Sequence, residues 1–308
     1  MSVTTEQHAD QRERAAGGSD EPENGEAGGL NEQEVEDTLE RTLQEGRRRM
    51  SRGWAALTAT GLVGGIDVAT GVMAMLVVEA ETGNKLLAGL AFSIGFIALT
   101  LARSELFTED FLVPVSAVVA RQSQLRSLLR LWVVTAAANL VGGWVLTYLI
   151  VTGFSSKELS VEKPAIEAGQ HYISLGLGWR AFSLALLGGA VITLMTWMQH
   201  STESMGVKLV PAVTTGFLLA GLQLNHAIVN SLLMFSSLHS GAPFGYLEWA
   251  RTAGFAALGN IIGGVGLVTL LRILQVPHKV IEERNNPAMG VPIGDKRRVD
   301  DDYPTEET

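Results

Sequence analysis

The chain contains no cysteine among its 308 residues, which excludes disulfides, thiolate metal sites and thiol catalysis. Several patterns of soluble enzymes are missing as well. There is no Gly-Lys-Ser/Thr phosphate loop, no dinucleotide glycine pattern in a strand-turn-helix context and no His-Glu-x-x-His zinc motif. No cofactor or metal is expected, and no nucleophile and base face one another convincingly enough to suggest an enzyme. Charge is scarce in the middle of the chain. Residues 47–278 hold 11 acids and 15 bases in 232 positions, a net of +4, whereas residues 1–46 carry 13 acids against 3 bases and residues 279–308 carry 8 against 5, so the overall charge of −9 belongs to the ends. Both ends are rich in Gly, Glu, Asp and Asn and poor in aromatics, too polar to offset the entropy of ordering. They read as disordered acidic cytoplasmic tails, except that residues 31–50 could form a polar helix leading into the apolar part. Residues 1–46 are expected to be dispensable for any transport. Acidic tails also exclude a nucleic-acid partner, and the short run Arg47–Arg49 needs only anionic lipid and topology to explain it. No signal peptide is visible in the long polar amino terminus.

What is present is a duplicated apolar core. Asn139-Leu-Val-Gly142-Gly143 reappears 121 residues later as Asn260-Ile-Ile-Gly263-Gly264, and Trp54 leads to Gly64-Gly65 as Trp179 leads to Gly188-Gly189. The Gly pairs read as close helix crossings. Stretches of about 20 apolar residues, the length that spans a bilayer, fall near 54–78, 86–120, 128–151, 172–198, 206–235 and 250–274. Three spans per copy is an odd number, so the copies insert with opposite orientation, the inverted-repeat plan of many channels and transporters, with the solute at the interface between repeats. The expectation is an all-α integral membrane protein, residues 47–278, of six transmembrane helices in two inverted three-helix repeats. Bases gather before the first span, between the second and third, and after the sixth, so both termini are expected in the cytoplasm of a bacterial-type inner membrane.

Two spans are too long for one helix. At about 1.5 Å per residue the second would exceed 50 Å against a hydrocarbon core of roughly 30 Å. Its middle holds Arg103, Glu105, Glu109 and Asp110, which favours a break, and irregular backbone at membrane depth is tolerated where it lines a cavity. The fifth span carries Gln223, Asn225, His226 and Asn230 at the matching place. Thr108 and Asn225 are suitable N-caps for the helices that resume after the breaks, and the exposed N–H groups there suit an anion. His226 is the ionisable group in the polar part of the fifth span. It either handles a proton during passage or only hydrogen-bonds the break, to Thr108 or Asn230.

Glu105-Leu106-Phe107-Thr108 in a broken second span, with Leu-Asn-His226-Ala-Ile-Val-Asn230 in the fifth, resembles the formate/nitrite transporter family. The resemblance covers roughly residues 47–278. It implies an aquaporin-like protomer, a homopentamer with one pore per protomer, and passage of small monovalent anions or their acids, with membrane lipid around it. By resemblance, Leu106, Phe107 and Thr108 map to the gating loop, Leu219 to an apolar constriction and His226 to the polar residue between constrictions. The chain departs from the family where a vestibular Lys and a fourth-span Asn are usual, offering Ile173 and Gly189 instead. Arg180 either replaces that attraction or anchors to headgroups. Glu109 and Asp110 oppose anion entry unless protonated or paired, and Glu105 has Arg103 as a candidate partner. Asp67, about 20 Å into the first span, is either a protonated or water-solvated residue packed on Gly64 and Gly65 or a partner of Arg180 or proton site. Two alternatives remain: the same fold conducting a neutral or cationic solute, and a non-conducting membrane scaffold.

Overall fold

The computed structural model describes residues 23–275, with side chains from residue 33. The expectations for the two chain ends fall outside it for residues 1–22 and 276–308. The described chain is helical, apart from connecting loops and one isolated bridge between Ser155 and Ser160. In order come α1 (Glu23–Ser51), α2 (Trp54–Thr82), α3 (Lys85–Ala102), a 3₁₀ segment (Phe107–Phe111), α4 (Val113–Val119), α5 (Leu125–Gly153), α6 (Glu162–Leu175), α7 (Trp179–His200), α8 (Met205–Gly221), α9 (Ala227–His239) and α10 (Tyr246–Ile261). A π-helical stretch (Ile262–Thr269) then leads into α11 (Leu270–Gln275).

Helix α2, the α10-to-α11 rod and three others, α3, α5 and α7, are long and apolar enough to cross a membrane by length and composition. α8 and α9 are apolar but shorter. The stretch 86–120 is not one rod: α3 stops at Ala102, the chain leaves helical geometry, and it resumes as a 3₁₀ turn and then α4. The stretch 206–235 divides likewise into α8 and α9 across residues 222–226. Each first half is followed by a left-handed residue that is not glycine, Arg103 directly after α3 and Gln223 two residues past the end of α8, each with φ 52°. The apolar run near 172–198 begins later than its composition suggests. Tyr172 and Ile173 belong to the separate helix α6, which Gly176 terminates at φ 65°, and the long helix opens only at Trp179.

α1 starts at Glu23, earlier than the polar helix expected from residue 31. It also has an apolar side, with Leu39, Leu43 and Met50 buried in a cluster with Leu57, Val115 and Leu131. At Gly46 an added methyl carbon would lie 2.5 Å from the Val113 carbonyl oxygen, so α1 sits tightly on the start of α4. Arg130 of α5 closes its far end, donating to the carbonyls of Met50 (2.6 Å) and Arg52 (3.0 Å), a natural role for a base at a helix C-terminus.

Candidate functional site at the two helix interruptions

The two interruptions are fastened by one device used twice. Asn139 on α5 donates from Nδ2 to the carbonyls of Gly61 (2.7 Å) and Glu105 (2.8 Å), and its Oδ1 accepts from the Phe107 amide (2.9 Å). Asn260 on α10 donates to the carbonyls of Ala185 (2.8 Å) and Asn225 (2.9 Å) and accepts from the Ala227 amide (2.8 Å). Both asparagines are fully buried. Backbone that has left a helix exposes N–H and C=O groups, and a buried unpaired one is costly. A primary amide offers two N–H donors and a carbonyl acceptor on one short neutral side chain, where a hydroxyl has a single proton to give. The Gly pairs allow the approach. A methyl carbon on Gly65 would stand 2.1 Å from the Asn139 carbonyl oxygen, and one on Gly189 would stand 2.0 Å from that of Asn260.

His226 and Thr108 meet between the interruptions. His226 Nε2 lies 2.8 Å from Thr108 Oγ1, and both residues are fully buried. On its other side His226 Nδ1 accepts from the Val229 amide at 3.2 Å. Nδ1 is thereby committed as an acceptor, so the neutral ring carries its proton on Nε2 and donates it to Thr108. The Thr108 hydroxyl keeps its own proton for another acceptor. His226, not Asn225, is the N-cap of α9, because its Nδ1 serves the Val229 amide. Asn225 instead donates to the Ala181 carbonyl (3.0 Å) and accepts from Asn230 Nδ2 (2.6 Å). Thr108 caps nothing: it sits inside the 3₁₀ turn, whose N-cap is Leu106 with no side-chain bond.

Leu106, Phe107 and Leu219 are buried in one apolar cluster that also takes in Leu224, Ile228 and Val229. Phe107 stacks edge-on with Phe111 (5.2 Å) and Trp132 (6.2 Å), and Trp132 donates its indole N–H to the Asp110 carbonyl at 3.1 Å. Phe111 leans on Gly264 in the π-helical stretch, and its carbonyl accepts from Thr269 Oγ1 at 2.8 Å.

The carboxylates resolve differently from expectation. Glu105 pairs with Arg52 (2.6 Å) and Arg49 (3.5 Å), not with Arg103. Asp110 pairs with Arg49 at 3.0 Å. Glu109 is buried without an ion pair among the described residues and faces a cavity of about 450 Å³. That cavity is bounded by α1, the ends of α3 and α7 and the start of α8, with Arg48, Arg103 and Lys208 on its wall. Asp67 accepts from Ser104 Oγ at 2.6 Å, a bond that neither the packed-glycine nor the Arg180 alternative contained. Arg180 is exposed at the start of α7. On α1, burial raises the Glu45 carboxyl, but hydrogen bonding from Arg48 and the charge of Arg49 outweigh it and hold its pKa at about 2. Burial likewise opposes the charge of Arg49, yet Glu105, Asp110 and Glu45 keep that guanidinium above its ordinary pKa.

A model of the formate/nitrite transporter family matches residues 36–274. The chain belongs to the formate/nitrite transporter family. It is 25% identical to the inner membrane protein YfdC of Escherichia coli K12, over 81% of each chain. It is 24% identical to the formate channel BtFdhC of Bacillus thuringiensis, covering 76% of this chain and 92% of that one. Among solved structures, an FNT family ion channel superposes with a TM-score of 0.68 at 19% identity, covering 76% of this chain and 96% of the other. A pentameric formate channel with formate bound superposes with a TM-score of 0.62 at 23% identity, covering 72% and 96%. As a member of a membrane transporter family with several apolar helices, the chain is a multi-pass membrane protein.

Sequence reasoning had set His226 and Thr108 side by side as one option. It passed over the residues that hold them there. Asn139 and Asn260 head the duplicated motif and could have been found from that repetition alone. Arg49 and Arg52 looked like topology signals because no local spacing ties them to Glu105 and Asp110, some 50 or more positions away.

Proposed function

We propose that the chain is a membrane channel or secondary transporter for small monovalent anions such as formate or nitrite, which cross with a proton or as the neutral acid. The carrying observation is the buried His226–Thr108 hydrogen bond, set among Leu106, Phe107 and Leu219. In this reading six spans form two inverted repeats, α3 with α4 and α8 with α9 are the broken second and fifth, and the interruptions lie at mid-membrane. The quasi-twofold use of Asn139 and Asn260 supports it. Taking a bare anion through an apolar slit costs several kcal/mol, and neutralising it first removes most of that cost. Thr108, accepting from His226, has a free hydroxyl proton to offer an arriving oxyanion, while His226 is placed to relay a proton behind it. Leu106, Phe107 and Leu219 are the apolar constrictions, and Asn225 and Asn230 fix the backbone under His226. The protomer assembles as a homopentamer in an inner membrane with both termini cytoplasmic. Similarity to a formate channel and to a pentameric formate-bound structure supports substrate class and assembly.

A second reading, passage of a neutral or cationic solute, is favoured by Glu109, a buried carboxylate at the cavity wall with no ion pair among the described residues. Proteoliposome uptake of formate, nitrite, acetate and urea under an imposed pH gradient separates the two. Weak-acid flux that rises as pH falls, and that drops at least tenfold in His226→Ala while the protein still folds, is the expected result. Unchanged flux in that variant removes His226 from the mechanism, uptake of urea alone favours the second reading, and no flux of anything leaves a scaffold.

A further inference from the structure

The two interruptions match residue for residue at an interval of 120 positions: Glu105 corresponds to Asn225 and Asp110 to Asn230. In the second, Asn230 and Asn225 bond directly, amide to amide, at 2.6 Å. In the first, the equivalent residues are two carboxylates, both at most 1% exposed. Two buried carboxylates repel and cannot bond to each other when ionised. Arg49 stands between them, 3.5 Å from Glu105 and 3.0 Å from Asp110, and Arg52 adds a contact of 2.6 Å to Glu105. We infer that Arg49 is a positioning residue: a guanidinium contributed by α1 performs for the first interruption what an amide pair performs within the second.

Arg49 lies outside the apolar core yet is only 11% exposed in its side chain, and its own helix is pressed onto α4 at Gly46. Its charge reaches the interruption from a different element, whereas Asn225 and Asn230 flank their own. The carbonyl of Glu105 is bonded to Asn139, and Thr108, three residues on, receives the His226 hydrogen bond. Displacing Arg49 therefore frees the segment that carries Thr108. Neither carboxylate oxygen of Glu105 has a well-aligned hydrogen bond among the described residues, so charge alone holds that carboxylate.

This inference rests on the proposed transport reading for its flux arm but not for its stability arm. The test compares wild type, Arg49→Gln, and the triple variant Arg49→Gln/Glu105→Asn/Asp110→Asn, which recreates the second interruption's amide pair in the first. Formate flux in proteoliposomes and thermal stability of the full-length protein in nanodiscs are measured for each. Arg49→Gln is expected to lower flux at least tenfold and to lower the unfolding temperature. The triple variant is expected to recover flux to within about threefold of wild type, together with most of the stability. A merely space-filling Arg49 would give no such rescue. Wild-type behaviour of Arg49→Gln in both assays, or a triple variant no better than the single one, overturns the inference. Absence of formate flux in wild type itself would count against the transport reading, and the stability rescue would then decide the role of Arg49 by itself.

Discussion

Replacing Asn139 by Leu should be among the most damaging conservative changes in the chain. Leucine has the branched heavy-atom skeleton of asparagine, with bulkier methyl ends, but offers neither donor nor acceptor, so the carbonyl of Glu105 and the amide of Phe107 would both lose their partner in a buried site. Gly61 lies within α2 and keeps its helical bond. At about 1–3 kcal/mol for each buried polar group left unsatisfied, the two orphaned groups predict a loss of roughly 2–6 kcal/mol. Asn260→Leu removes the same pair of partners, from the Asn225 carbonyl and the Ala227 amide, and should cost a similar amount. Val141→Ala, on the outward face of α5, serves as the control, with an effect within about 0.5 kcal/mol. Unfolding in mixed micelles, titrated with SDS and followed by tryptophan fluorescence, gives the three differences on one scale. A shift below about 1 kcal/mol in Asn139→Leu, or a large disparity between the two asparagines, would refute the idea that each interruption depends on one amide.

Further outcomes follow from individual contacts. Gly189→Ala places a methyl carbon 2.0 Å from the Asn260 carbonyl oxygen, and overpacking of this kind should cost about 1–3 kcal/mol in the same assay. Thr269→Val keeps the shape but removes the hydroxyl that bonds the Phe111 carbonyl, for a loss of about 1 kcal/mol. Glu45, whose folded pKa of about 2 lies below its ordinary value of 4.5, contributes stability that is present above about pH 4.5 and is lost as pH falls toward 2. The difference in melting temperature between wild type and Glu45→Gln should accordingly be full at pH 7 and shrink steadily below pH 4.5. Deleting residues 1–46 strips the buried Leu39 and Leu43 from the cluster under α1. It should lower thermal stability, in contrast to the dispensability suggested by the acidity of that stretch.

The long apolar runs carried the all-helical, membrane-spanning character of the chain. An overlong span must tilt, protrude or break, and the charged residues 103–110 and polar residues 223–230 marked where the chain leaves helical geometry. His226 was legible because an imidazole is rare in an apolar run, whereas Thr108 was singled out by resemblance to the family. Capping was misjudged, since propensity favours Asn at an N-cap while here the ring nitrogen of His226 takes the amide and frees Asn225 for Asn230. The separate helix α6 was hidden because Tyr172 and Ile173 continue an apolar run across Gly176, and hydropathy does not register a change of chain direction. Ion pairing failed for a different reason. Arg103 is only two positions from Glu105 in sequence, but its left-handed backbone ends α3 and its side chain lines the cavity, so Arg49 of α1 and Arg52 just beyond that helix take its place.

The left-handed turn at Gln223 opens a practical route to a sturdier protein. Its φ of 52° is a conformation that glycine adopts freely and a glutamine resists. Gln223→Gly would relieve that resistance, by an amount of order 1 kcal/mol, at the cost of one half-buried side chain. For a detergent-extracted sample that must survive purification, such a gain is useful.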